Sequence, residues 1–399
     1  MSEKKVSIAC CILTHDHPDT INDIMDRTVS LYITKGIDIY VYDDSTNDVT
    51  REIVEEYIEQ GMDQLYYVDT HMVHSGNEKM LYVLKGYGLA KSYDYIWPVK
   101  DRVCFSEEYI DRLIEALNHK PDVVLGMGNW QRWNANRTYS KREYYDPAEF
   151  YRDYGFCVTN WEMMCFNVKS IVEQTDWEKY EEIYHVTADN PFNRYVWIFN
   201  RLAENDRCYI EVCPYEFTSM YVSPYSTSEW LASIFSLWID KWISANESLP
   251  DIYNLHKMET IKAQTNLSDV FGSAEQMMSY HEKGIYTLEI YEKYEKIWSF
   301  ITEIPIEWLK LIAIGDYETI IRLIKSSFEQ AIRRKEYNRA QWLFFSNSWF
   351  SKAYEEKKHN ALYFGLYNYR DQMMQHGYTT VFDGCDSMED IIKKYGDIK

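Results

Sequence analysis

The sequence predicts an α/β protein: an N-terminal domain built on a mostly parallel sheet, followed by an all-helical region. Three observations carry this. From residue 6 to about 100, short apolar runs alternate with helix-patterned segments, the layout of a parallel sheet with right-handed crossovers. The alternation continues more loosely to about 225. Beyond that, strand signals fade and Trp, Tyr and Leu recur at three- and four-residue spacing, as in "IYTLEIYEKYEKIWSFI". We therefore expect one domain over 1–225 and a helical domain over 226–399.

The elements follow in order. "VSIACCILT" (6–14) reads as a strand, and Pro18 then opens a helix to about Lys35, with Asp16 or His17 near its N-cap. "IDIYVYDDS" (37–45) is a second strand. The helix 47–61 is capped by Asn47 or Asp48 and stopped by Gly61. "LYYVD" (65–69) is a third strand, 76–92 is helical in pattern, and "YIWPV" (95–99) is a fourth strand. A helix over 106–120 and a strand over 122–129 come next. The segment 130–175 is irregular and aromatic. A helix over 190–206, with Pro191 as its first helical residue, and a strand over 208–217 complete the alternation.

Composition narrows the function. The 399 residues carry a formal net charge of −21, which disfavours non-specific binding to nucleic acid. No segment is long and apolar enough for the ~20 residues of a membrane span; "WLASIFSLWIDKW" (230–242) is short and interrupted by Asp240. The N-terminus lacks a signal-peptide cleavage site. Of eight cysteines none forms C-x-x-C, so reduced core thiols in a cytoplasmic protein are expected. Neither G-x-G-x-x-G nor a P-loop is present.

Two strand ends carry chemistry. "YDYIWPVKDRVCF" (93–105) begins as a buried strand and runs out into Asp101 between Lys100 and Arg102, where open sheets hold their ligands. "VYDDSTNDVT" (41–50) places Asp43 and Asp44 at another strand terminus. A carboxylate there can accept from a base N–H or a ribose hydroxyl; alternatively Asp44, Ser45 and Asp48 only build the turn and cap.

Over residues 5–215 this layout resembles the inverting glycosyltransferases of the GT-A fold, family-2 type. The residues that carry it are "ILTHDHPDT", with Thr14 and Pro18 in a Thr-x-x-x-Pro pattern, "DDSTND" (43–48), and "GLAKSYDYI" (88–96) before the fourth strand. The resemblance implies a nucleotide-sugar co-substrate, a uridine diphosphate sugar by preference, bound by Thr14, Asp43 and Asp44. It places Lys85 where the family carries a cation facing the nucleotide; a solvated helix lysine is the plain alternative. It puts the diphosphate, with Mn²⁺ or Mg²⁺, on the acid that ends the fourth strand, here Asp101. The family's cluster is reduced to one acid, so Lys100 and Arg102 can instead neutralise the diphosphate themselves. Asp189 in "HVTADNPFNRYVW" falls at the position of the general base, with Ala188 where a second acid would stand; its plain alternative is an N-cap.

The resemblance also implies a glycan or protein-linked hydroxyl acceptor, in bacterial surface-glycan synthesis. Residues 129–139 and 159–164 mix Trp with Asn, Gln and Arg, as an acceptor site would, or as aromatic packing would. The helical region reads as packing, with a second copy, a partner or a long acceptor as its other use. "RRKEYNR" (333–339) is too mixed to mark a lipid surface. Outside the transferase reading stand a catalytically inactive scaffold whose helical domain mediates interactions, and a nucleotidyltransferase, which needs a stronger acidic metal site.

Overall fold

The computed structural model describes residues 6–70, 76–127, 141–159, 163–186, 190–205, 208–214, 220–222, 229–266 and 270–316, with scattered positions to 334. The chain divides into two compact units, residues 1–260 and 261–399.

The first unit holds every described strand. β1 (Ile8–Thr14), β2 (Ile37–Asp43), β3 (Leu65–Asp69) and β4 (Tyr95–Lys100) run parallel. α1 (Pro18–Ile24) continues through a π-helical turn, Met25–Val29, into α2 (Ser30–Thr34). α3 (Val49–Glu59) and α4 (Gly76–Leu84) make the next crossovers. β5 (Val103–Phe105), α5 (Glu107–Asn118), β6 (Val123–Met127), β7 (Glu143–Tyr144), α6 (Pro147–Tyr154), β8 (Met164–Asn167), α7 (Trp177–Val186), α8 (Asn193–Ala203), β9 (Ile210–Pro214) and β10 (Met220–Val222) follow. The main sheet has eight strands in the order β3-β2-β1-β4-β8-β6-β9-β7, and β5 pairs with β10 in a small antiparallel sheet. The fold class expected from the sequence is the one observed.

β1 and β2 are buried along their whole length, as strands covered on both faces should be. Trp97 of β4 lies 5.7 Å from the Tyr32 ring and 5.0 Å from that of Phe105. Pairing fixes the carboxyl edge: Thr14 lies opposite Asp43, Asp43 opposite Asp69, and Leu13 opposite Lys100. The chain leaves β1 for β2 and β3 on one side and returns to β4 on the other. β1 and β4 therefore flank the point where strand order reverses, where such sheets open a crevice.

Several expectations are corrected. The helix expected over 76–92 ends at Leu84, because Gly86 and Gly88 take φ of 74° and 81°. A Cβ on Gly88 would also meet Val68 Cγ1 at 2.6 Å. The helix expected from 190 starts at Asn193. The segment read as irregular contains α6 and β8. β8 runs antiparallel between β4 and β6 and completes the sheet. The first unit runs to Thr260, past the expected division at 225/226. The reason is a buried helix, α9 (Trp242–Glu247), whose Trp242 ring lies 4.6 Å from Tyr195 of α8.

In the second unit the described elements are helices. Trp298, fully buried, collects the rings of Phe271, Tyr286 and Tyr294 at 5.8–6.1 Å, and its Nε1 donates to the Tyr291 carbonyl. The aromatic stripe read from the sequence here is a core face. No described helix is long and apolar enough to cross a membrane. Seven cysteines are free and buried, and burial raises the thiols of Cys104 and Cys208 to about 12; Cys385 lies outside the described residues.

Candidate functional site

Two turns at the carboxyl edge are fastened together. Asp16 has φ of 51°, a left-handed conformation that Asp tolerates better than most residues. Its backbone N–H donates to Ser45 Oγ at 2.8 Å. Its carboxylate accepts from the Thr46 N–H at 2.7 Å and from Thr46 Oγ1 at 3.0 Å. Those bonds hold the Asp16 carboxyl below its ordinary range. The turn after β1 is thereby locked to the turn after β2.

The acids on this ledge differ in what surrounds them. Asp43 is 1% exposed and accepts from the Ser45 N–H at 2.9 Å, Ser45 Oγ at 2.5 Å and the Tyr67 hydroxyl at 2.9 Å. Burial first, and then that bond, raise the Tyr67 phenol. Asp43 shapes the ledge. Asp44 Oδ1 takes the Lys79 ammonium and His15 Nδ1, the latter at 2.9 Å. Lys79, 3% exposed, also donates to the Thr14 carbonyl, so one buried cation joins the ends of β1 and β2.

Asp101, 6% exposed, sits in the turn between β4 and β5. Its Oδ2 accepts from Thr14 Oγ1 at 3.1 Å and lies 2.8 Å from His17 Nδ1. Lys100 and Arg102 are half-buried on either side. Thr14, Asp43, Asp44 and Asp101 are therefore brought to one edge of the sheet, with Lys100 and Arg102 in the same turn as Asp101. Lys85 is not. It pairs with Glu181 on α7 and lies 5.7 Å from the Trp177 ring, and burial lowers its pKa.

Asp189 lies outside the described residues, as do residues 129–139, part of 159–164, and 335–339. Its neighbour Asn190 is described. The Asn190 carbonyl accepts from Asn77 Nδ2 at 3.2 Å, and Asn77 shares the first turn of α4 with Lys79. Asn190 Nδ2 donates to the Lys241 carbonyl at 3.0 Å, and its Oδ1 accepts from the Phe192 N–H at 2.9 Å. The N-cap of α8 is Phe192.

Sequence reasoning missed Lys79, His15 and His17. Lys79 had a signal: it falls on the face of α4 that buries Met80, Val83 and Leu84, where a lysine needs a partner. The histidines had none beyond alternating with Asp16 in "THDHPDT".

Among the described residues no group of three or more His, Cys, Asp or Glu side chains is placed to hold a metal ion. The donor set fits a narrower arrangement. Asp101 Oδ1 has no hydrogen-bond partner among the described residues, and a single carboxylate oxygen suits a hard cation that draws its other ligands from a diphosphate and water.

No family model matches the chain, and no curated protein matches it. Among solved structures, S. aureus TarS 1–349 in complex with UDP-GlcNAc is 11% identical, with a TM-score of 0.43, over 88% of this chain and 92% of that one. The mannosyltransferase PcManGT from Pyrobaculum calidifontis, in complex with GDP-Man and Mn²⁺, is 9% identical at a TM-score of 0.40, over 79% and 88%. Glucosyl-3-phosphoglycerate synthase from Mycobacterium tuberculosis, in complex with Mn²⁺, UDP and phosphoglyceric acid, is 13% identical at 0.39, over 62% and 80%. At this distance the likenesses carry no argument about chemistry.

Proposed function

We propose that this chain is an inverting glycosyltransferase that takes a sugar from a nucleotide-sugar donor, a uridine diphosphate sugar by preference. The acceptor would be a hydroxyl on a glycan or a protein-linked sugar. One observation carries the reading: Thr14, Asp44, Lys79 and Asp101, distant in sequence, converge at the carboxyl edge where strand order reverses. The "DDSTND" motif on that edge adds to it.

Asp44, on the ledge that Asp43 shapes, contacts the nucleoside. Lys100 and Arg102 face the diphosphate, and Arg102 suits bidentate phosphate recognition. Asp101 would hold a divalent cation, Mn²⁺ or Mg²⁺, which would offset charge on the departing diphosphate. Asp189 takes the proton from the acceptor hydroxyl as its oxygen attacks the anomeric carbon. The bond from that carbon to the diphosphate oxygen breaks with its electron pair leaving on the nucleoside diphosphate, and configuration inverts. Asn190, next in sequence to this base, accepts from Asn77 in the first turn of α4, and that contact supports the reading. Catalysis is assigned to the first compact unit, and the helical remainder to packing.

Release of nucleoside diphosphate from a panel of UDP-, GDP- and dTDP-sugars tests the reading. Asp189→Asn is expected to lower turnover by about 10²–10⁴-fold, the range of a lost general base. If calorimetry detects no nucleotide-sugar binding with or without Mn²⁺, the chain is a binding or scaffold protein.

A further inference from the structure

We propose that His17 is a positioning residue for Asp101: with Thr14 it holds Oδ2 and so turns Oδ1 toward the cation and diphosphate. This deepens the transferase reading and rests on it. The problem His17 solves is set by the sequence, since Asp101 is a lone acid between Lys100 and Arg102. A loose carboxylate beside two cations would turn onto them, because charge-assisted hydrogen bonds are strong. Yet the hydrogen-bond partners of Asp101 among the described residues are His17 and Thr14. Both anchoring contacts fall on one oxygen, 2.8 Å from His17 Nδ1 and 3.1 Å from Thr14 Oγ1.

The anchors are themselves fixed. Thr14 is buried, and its carbonyl takes the Lys79 ammonium. His17 follows Asp16, whose N–H and carboxylate are fastened to Ser45 and Thr46. At 2.8 Å from a carboxylate oxygen, Nδ1 carries the proton and donates, which sets the tautomer. The group that orients Asp101 therefore stands in the turn after β1, which the turn after β2 holds in place. Partners that orient a metal-binding side chain in this way are worth about 10–100-fold in metal affinity.

The test titrates the full-length chain with Mn²⁺ by electron paramagnetic resonance, alone and with UDP, and measures uridine affinity separately. His17→Ala is expected to weaken Mn²⁺ binding in the presence of UDP by about 10–100-fold, with uridine affinity unchanged. His17→Asn, whose amide can donate from near the Nδ1 position, is expected to restore most of it. Wild-type Mn²⁺ affinity in His17→Ala overturns the proposal. Equal loss in His17→Asn and His17→Ala also overturns it, because it would make the imidazole a direct ligand. So does a parallel loss of uridine affinity, the mark of a collapsed turn. A wild-type chain that binds UDP but not Mn²⁺ overturns this assignment and leaves the transferase standing; one that binds neither overturns both.

Discussion

Lys79 occupies a position where a charge has to be answered. It is buried on the apolar face of α4, and its ammonium is shared between the Asp44 carboxylate and the Thr14 carbonyl. Removing one partner of a buried pair leaves the other charge uncompensated. Lys79→Met is expected to destabilise the chain by about 3 kcal/mol, read from the urea midpoint at constant slope, and to weaken nucleotide binding. At the opposite end of β2, Asp38 is an acid with no part in the site. Burial raises its pKa, but bonds from Lys91, Tyr93 and Gln64 outweigh that and hold it below the ordinary range. A carboxyl whose folded pKa is depressed contributes stability above its unfolded value of about 3.9, and that contribution disappears as pH falls through the folded value. Wild-type and Asp38→Asn melting temperatures should differ most at neutral pH and converge below about pH 3.9. A constant gap would remove the linkage.

Among elements, α9 shows how one polar group can tie helices together. Asn246 Oδ1 accepts from the hydroxyls of Tyr151 on α6 and Tyr195 on α8, each at 2.7 Å, and its Nδ2 donates to the Trp242 carbonyl. All of this is buried. Asn246→Leu would remove the acceptor shared by two buried tyrosine hydroxyls and leave them each other and Thr260, and at about 1–3 kcal/mol for an orphaned group a loss of about 2 kcal/mol is expected in urea unfolding. Asn246 gave no sequence signal, since an asparagine in "WISANE" reads as a poor helix former until its neighbours are known. The early elements were legible because continuous apolar runs and Gly/Pro punctuation are local signals. β8 was not, because "MCFN" is too short to show a period and becomes a strand only between β4 and β6. The end of α4 was misjudged for a related reason. Its apolar pattern continues past Leu84, but two glycines in left-handed conformations end the helix first.

For the whole molecule, the division into units follows buried area rather than secondary-structure type. Residues 229–260 are helical yet belong with the sheet, because Trp242, Tyr253 and Asn246 cover Tyr195, Phe199 and Tyr151. A chain cut after 225 would expose that aromatic cluster and is expected to lose its cooperative thermal transition, whereas one cut after 260 keeps it; circular dichroism melts compare the two. The same distinction governs what could be read in advance. The amino-acid sequence alone determined the alternation of strands and helices, the run of buried β1 and β2, and the acids at the ends of β2 and β4, because period, propensity and strand termini are properties of neighbours along the chain. Only the tertiary structure decided that Lys79 rather than Lys85 reaches Asp44, that His17 and Thr14 hold Asp101, and that the first unit extends to Thr260. Each of those depends on groups remote in sequence meeting across a crossover, and no local pattern encodes the register and packing that bring them together.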